Sequence, residues 1–175
     1  TVEDFVTEEN VVELVPACDA VIDAIDQFRP KAAMIAHCRR ATIPVVTTGG
    51  AGGRTDPARL KVDDLSRTTQ DALASKLRAR LRKEHGFPRE PKKKFGVPCV
   101  YSDEPIRRPA STEACDIDDH VAGLHGLNCA GYGSSVCVTA TFGFAAAARV
   151  RQELLERGVT REDSPGGTTW RLKKG

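Results

Sequence analysis

Two short β-branched runs, residues 20–26 (AVIDAID) and 43–48 (IPVVTT), bracket one helical segment, and that arrangement leaves few folds open. Val, Ile and Thr suit a pleated surface, and both runs are apolar enough to read as mostly buried strands. Between them Pro30 reads as the first position of a helix over residues 31–40 that packs Met34, Ile35 and Cys38 and ends in a basic turn. Strand, helix, strand at this spacing is a βαβ unit, so the strands are parallel and joined by a right-handed crossover.

The second run leads directly into GGAGG, residues 49–53. These glycines stand at a strand's carboxyl end, where ligands collect in open α/β sheets. A dinucleotide fingerprint needs a helix to open after its glycines, whereas Arg54-Thr55-Asp56-Pro57 reads as a turn. Residues 60–65 (LKVDDL) then alternate like a half-exposed strand. The glycines therefore turn the chain into an antiparallel return, and their small size also lets another backbone or a ligand come close.

Elsewhere, Thr7 reads as the cap of a short helix over residues 8–14, with Glu8 and Glu9 in its first turn. Residues 71–84 form an amphipathic helix with Leu73, Leu77 and Leu81 on one stripe. Residues 95–102 (FGVPCVYS) read as a strand that Pro98 places at a sheet edge. Residues 104–127 show no period and read as a long loop. Ser134 or Ser135 caps a final long helix, apolar over 136–148 and charged over 149–157. The fold class is thus α/β: a Rossmann-like mixed sheet, parallel βαβ followed by antiparallel strands, with a long C-terminal helix. Residues 1–157 form the domain and 158–175 a flexible tail. Residues 1–5 read as the end of a strand without an initiator methionine, which suggests a chain truncated at its start.

A formal net charge of +2 over 175 residues gives no global field of the kind that marks many nucleic-acid binders. The charge is uneven, however. Residues 76–94 hold nine basic side chains against Glu84 and Glu90, and residues 103–119 hold six acids against Arg107 and Arg108. Six scattered cysteines, several in apolar segments, read as reduced core thiols of a cytosol-like compartment. No pair is spaced Cys-x-x-Cys, so a thioredoxin motif and a four-cysteine zinc site are not expected. No apolar run reaches membrane-spanning length, so no membrane contact is expected of this segment.

Several residues could carry chemistry. Asp23 and Asp26 are three apart at a strand end and point to opposite faces, so they cannot form a facing dyad. Asp26, last before the loop, either reaches a magnesium ion on a nucleotide phosphate or simply caps the next helix. Cys129, in LNCAGYGSS ahead of a helix start, is either a nucleophile with His125 as base or a structural thiol. Cys137 lies within the helix and reads as core. CDIDDH, residues 115–120, has the composition of a metal cluster but no standard spacing, and reads as a solvated loop. The basic stretch, with Arg78, Arg82, Lys92, Lys93 and Lys94, either tracks phosphates or is a solvated face.

Five ordered blocks carry a resemblance: EDFVTEENV, VIDAIDQFRPKAAMIAHCRR, IPVVTTGGAGGRTDP, DLSRTTQDALASKLRARL, and CAGYGSSVCVTATFGF. Together they resemble the tRNA threonylcarbamoyladenosine dehydratase family, of the ubiquitin-activating-enzyme-like adenylyltransferases that include ThiF, MoeB and HesA. The likeness runs from Thr1 to about Leu155. It implies a homodimeric α/β enzyme that uses ATP and Mg2+ to cyclise the threonylcarbamoyl group beside a tRNA anticodon, activating its carboxylate as an acyl-adenylate. It further implies cytoplasmic action, or an organelle surface such as the mitochondrial outer membrane in a eukaryote, with a cysteine desulfurase or sulfur-acceptor system as a possible partner. By position, Asp26 matches the family aspartate at the phosphates and metal, Ile25 its backbone neighbour, and Cys129 the crossover-loop cysteine proposed as an acyl acceptor. The family's glycine-rich ATP loop precedes the matched segment and has no counterpart here, which implies an incomplete ThiF-like fold. Two other readings stand beside it: activation of a ubiquitin-like sulfur carrier, whose enzymes often hold zinc through paired Cys-x-x-Cys motifs, and a noncatalytic dimerisation or sulfur-relay module.

Overall fold

The computed structural model describes residues 2–106, 133–164 and 167–172, with side chains up to residue 158. Its elements are α1 (Val11–Leu14), β1 (Val21–Asp23), α2 (Phe28–Arg40), β2 (Val45–Thr48), β3 (Leu60–Asp64), α3 (Ala72–Glu84), β4 (Pro98–Ser102), α4 (Val136–Glu156), β5 (Val159–Ser164) and β6 (Gly167–Leu172). The first four strands form one sheet in the order β1-β2-β4-β3.

β1 and β2 pair in parallel, with Val21 opposite Val45 and Asp23 opposite Thr47, as the βαβ pattern requires. Successive strand residues face opposite sides of the sheet, and the two faces carry separate clusters. On one, Val45, Cys99 and Tyr101 meet Ala32, Ile35 and Cys38 of α2 and Ala74, Leu77 and Leu81 of α3. On the other, Val46 and Val100 meet Val138, Phe142 and Ala146 of α4. Burying each such large apolar side chain contributes roughly 1.5–3 kcal/mol. The sheet is thereby covered on both faces.

The return strand β3 is antiparallel, but its partner is β4, not β2. β4 runs parallel to β2 and lies inside the sheet. This corrects the edge position expected from Pro98. Proline is tolerated as the first residue of a strand, and Pro98 stands there, opposite Asp64 at the end of the ladder. The edge on that side is β3, whose exposed Lys61 and Asp63 discourage pairing with another chain.

Helix boundaries shift for local reasons. α2 opens at Phe28, so Pro30 is its third residue; the first four N–H groups of a helix have no intrahelical acceptor, and the missing donor costs little there. The helix closes in a Schellman arrangement, with Ile43 N–H donating to Cys38 O at 2.8 Å and Thr42 N–H to Arg39 O at 3.3 Å. Thr42 takes φ 59° at the position where glycine is usual. α1 begins at Val11, preceded by a reciprocal cap in which Thr7 N–H donates to Asn10 Oδ1 and Asn10 N–H to Thr7 Oγ1. Residues 2–5 form no strand. In the region read as a tail, β5 and β6 pair as an antiparallel hairpin.

Candidate active site

The carboxyl ends of β1, β2 and β4 bring three segments to one end of the sheet: the loop after Asp23, the glycine turn after Thr48, and Glu104. The first is built around a buried ion pair. Lys31 Nζ lies 2.9 Å from Asp23 Oδ2, and neither side chain is exposed. Thr47 Oγ1 donates to the same oxygen at 2.7 Å, Ile25 N–H donates to Asp23 Oδ1 at 3.1 Å, and Lys31 Nζ also reaches Asp23 O at 3.2 Å. Asp26 projects beyond this node as an exposed carboxylate with no hydrogen-bond or ion-pair partner among the described residues. Asp23 and Asp26 thus have opposite environments, one sealed and one open.

The glycine turn is held by Asp71, the N-cap of α3. Its Oδ1 accepts from Ala74 N–H at 2.8 Å and its Oδ2 from Gly50 N–H at 3.0 Å. Arg54 folds beneath the turn, donating to Gln70 O at 2.7 Å and lying 3.6 Å from Asp71 Oδ2. Glu104 accepts from the N–H groups of Thr55 and Asp56, both at 2.9 Å. The glycines therefore do turn the chain, and they do so around carboxylates from two other segments. Nothing in a local pattern marks Lys31, Arg54, Asp71 or Glu104 as buried.

The basic stretch divides. Arg78 donates to Thr68 O at 3.0 Å, and Arg82 donates to Pro88 O at 3.1 Å while stacking 5.1 Å from the Phe95 ring. Both are structural in these contacts. Lys92, Lys93 and Lys94 are exposed in the loop before β4. Because β1 and β4 both run parallel to β2, that loop and Asp26 lie at opposite ends of the sheet. Lys76, Lys83 and Arg89 are exposed as well.

Four free thiols lie among the described residues. Burial pushes Cys38 up to about 11 and Cys99 up to about 12, which makes both poor nucleophiles. Cys137 is exposed on α4, correcting the expectation that it packs in the core. Cys129, His125 and the CDIDDH segment fall outside the described residues.

No protein-family profile matches the chain. Among curated proteins it is 46% identical over 161 residues to the tRNA threonylcarbamoyladenosine dehydratase of Escherichia coli (strain K12), covering 90% of this chain and 60% of the relative. The Haemophilus influenzae protein of the same name is 44% identical over 158 residues, covering 89% and 58%. The solved structure of the E. coli dehydratase with AMP superposes with a TM-score of 0.74 at 44% identity, covering 89% of this chain and 56% of that one. Over about nine-tenths of its length the chain is similar to these dehydratases and shares their ThiF-like fold. It spans about 60% of the length of these two curated relatives. Within this ThiF-like fold, the four-stranded mixed sheet and the long α4 are the parts that the described residues build. The E. coli dehydratase has also been solved with ATP, at a TM-score of 0.73.

Proposed function

We propose that the full-length protein containing this chain is an ATP-dependent tRNA threonylcarbamoyladenosine dehydratase, and that residues 1–157 form part of its catalytic domain. The observation that carries this reading is the 46% identity over nine-tenths of the chain to an enzyme of that name. ATP would supply the chemistry of activation: adenylation of the threonylcarbamoyl carboxylate, with release of pyrophosphate, would give an acyl carbon from which the carbamoyl oxygen can displace AMP as the ring closes. With tRNA as substrate, the cytoplasm is where this reading puts the protein, and no helix among the described residues is long and apolar enough to cross a membrane.

The residues present fit one part of this machinery. A magnesium ion borne on phosphates takes one or two carboxylates and keeps several waters. Asp26, exposed in the loop after β1 and unpartnered among the described residues, fits that single role, with the Ile25 backbone beside it. No group of three or more His, Cys, Asp or Glu able to hold a metal occurs among the described residues, so the metal would come with the nucleotide. A nucleotide cradle is not formed around Asp26 by these residues. Clefts of about 150 and 810 Å³ lie instead at the amino ends of β2 and β4, against α4. Cys129 is proposed as the acyl acceptor after activation, and Lys92, Lys93 and Lys94 as tRNA phosphate contacts.

A homodimer fits an apolar stripe on α4. Val136 and Phe144 are 74% and 76% exposed, with Ala140 and Ala147 on the same side. Such a contiguous exposed patch is the kind that a partner covers.

The test uses the full-length protein with modified tRNA, ATP and Mg2+. Digestion and mass spectrometry should show the modified nucleoside lighter by one water. Asp26→Asn should lower both ATP–pyrophosphate exchange and cyclisation, by roughly 100-fold if the carboxylate positions the metal. Cys129→Ser should leave exchange intact and slow cyclisation. Unchanged nucleoside mass with a fully folded protein would refute the assignment, and normal cyclisation by Cys129→Ser would remove the thioester.

A further inference from the structure

We infer that Asp23, clamped by Lys31 and Thr47, is a positioning residue that fixes the loop bearing Asp26; the inference rests on the metal-binding role proposed for Asp26. The span from residue 23 to residue 31 is stapled at both ends. The Lys31 ammonium reaches both the carboxylate and the carbonyl of Asp23, at 2.9 and 3.2 Å. Lys31 N–H donates to Gln27 O at 3.2 Å, and Ile25 N–H folds back onto Asp23 Oδ1 at 3.1 Å. Thr47, on the neighbouring strand and in register with Asp23, ties the node to the sheet. Between the two staples Asp26 is exposed and has no hydrogen-bond or ion-pair partner among the described residues.

A purely structural role explains this arrangement poorly. A fully buried ion pair is weak evidence for net stability, because desolvating both charges offsets much of their attraction, and well-packed apolar residues often do as well. Short Asx turns of this kind need no lysine. The lysine adds a second tether from α2 to the carbonyl of Asp23, which holds the strand end against the helix start. The outcome is a short loop with its ends immobilised and its central carboxylate free. A ligand's orientation by hydrogen-bonded neighbours is how such outer partners act at metal sites, and their removal typically costs 10–100-fold in affinity or activity.

The experiment compares the full-length protein with three variants: Asp26→Asn, Thr47→Val, and the double variant Asp23→Asn with Lys31→Met. The double variant removes both charges together, so that neither is left buried and unpaired. ATP affinity is measured with and without Mg2+, and hydrogen exchange is followed at the Ile25 and Lys31 amides. The double variant should keep its circular dichroism and Mg2+-free ATP affinity, lose about tenfold in the Mg2+-dependent gain, and exchange these amides at least tenfold faster. Thr47→Val should shift both readouts the same way by less, and Thr47→Ser, which keeps the hydroxyl, should restore them. Unchanged exchange in the double variant overturns the positioning role. Faster exchange with a normal Mg2+ effect, while Asp26→Asn abolishes that effect, also overturns it and leaves the reading of Asp26 intact. If Asp26→Asn itself leaves the Mg2+ effect normal, the reading of Asp26 fails and the exchange result alone decides whether the node fixes the loop.

Discussion

The Asp71 carboxylate occupies the space that a side chain on Gly49 would need. A Cβ built there would stand 3.0 Å from Asp71 Cγ and 3.2 Å from Tyr101 Cβ, with Oδ2 closer still. Asp71 cannot withdraw without releasing both the cap on α3 and the Gly50 amide. Gly49→Ala should therefore cost about 1–3 kcal/mol, the usual range for forcing extra atoms into a packed site. Gly50→Ala is the control, since its nearest neighbour would be Leu73 Cβ at 3.8 Å, an ordinary contact. Urea unfolding of the two variants should separate them, and equal midpoints would show that the close approach is not limiting.

Thr42 closes α2 with φ 59°. A β-branched residue in the left-handed region carries a penalty of roughly 1–2 kcal/mol that glycine avoids, offset in part by glycine's greater freedom in the unfolded chain. Thr42→Gly should raise stability by about 0.5–1 kcal/mol, seen as a higher denaturant midpoint with an unchanged slope.

The thiols should react in two classes. At pH 8, Cys137, open on α4, should be modified quickly by a disulfide reagent. Cys38 and Cys99, raised by burial to about 11 and about 12, hold almost no thiolate at that pH and should react only on unfolding. Because these folded values lie above the free-thiol value, raising the pH through 9 ionises the unfolded chain first and draws the equilibrium toward unfolding. Peptide mapping after a short pulse at pH 8 and at pH 10 checks both statements. Early labelling of Cys99 in folded protein would contradict its burial.

The basic stretch should also split under mutation. Changing Lys92, Lys93 and Lys94 to Ala in the full-length protein should weaken tRNA binding and reduce the salt slope by about one for each phosphate no longer neutralised, with no change in melting temperature. Arg78→Ala should do the reverse, lowering stability by removing the bonds to Thr68 and leaving the slope unchanged. A salt titration of tRNA binding beside a melting curve distinguishes them, and a constant slope in the lysine variant would return the loop to a solvated surface.

The parts of the fold legible in the sequence are those whose determinants are local. The βαβ unit follows from β-branched runs around an apolar helix, and α3 from the Leu77 and Leu81 stripe. The insertion of β4 between β2 and β3 was not legible, because Pro98 argues for an edge and only the long-range ladder shows it as a strand's first residue. At the site, Asp26 could be singled out as a carboxylate near a strand's carboxyl end, although β1 stops at Asp23 and Asp26 lies in the loop beyond it. Lys31 could not, since lysine is almost never fully buried and its partner lies eight residues back on another element. Arg54 and Asp71 were hidden for the same reason: each is explained by a neighbour distant in sequence.

The strand order β1-β2-β4-β3 also dictates a schedule for the growing chain. β3 emerges before β4 but has no place in the sheet until β4 has arrived, because β4 supplies its pairing edge. At ribosomal speeds of roughly 5–20 residues per second, residues 60–64 wait about 2–8 s for residues 98–102. During that interval the βαβ unit can already close, while β3 stays an unpaired strand with Lys61 and Asp63 as its guard against mispairing. A nascent chain arrested before Pro98 should therefore protect the amides of β2 and leave those of β3 open to exchange.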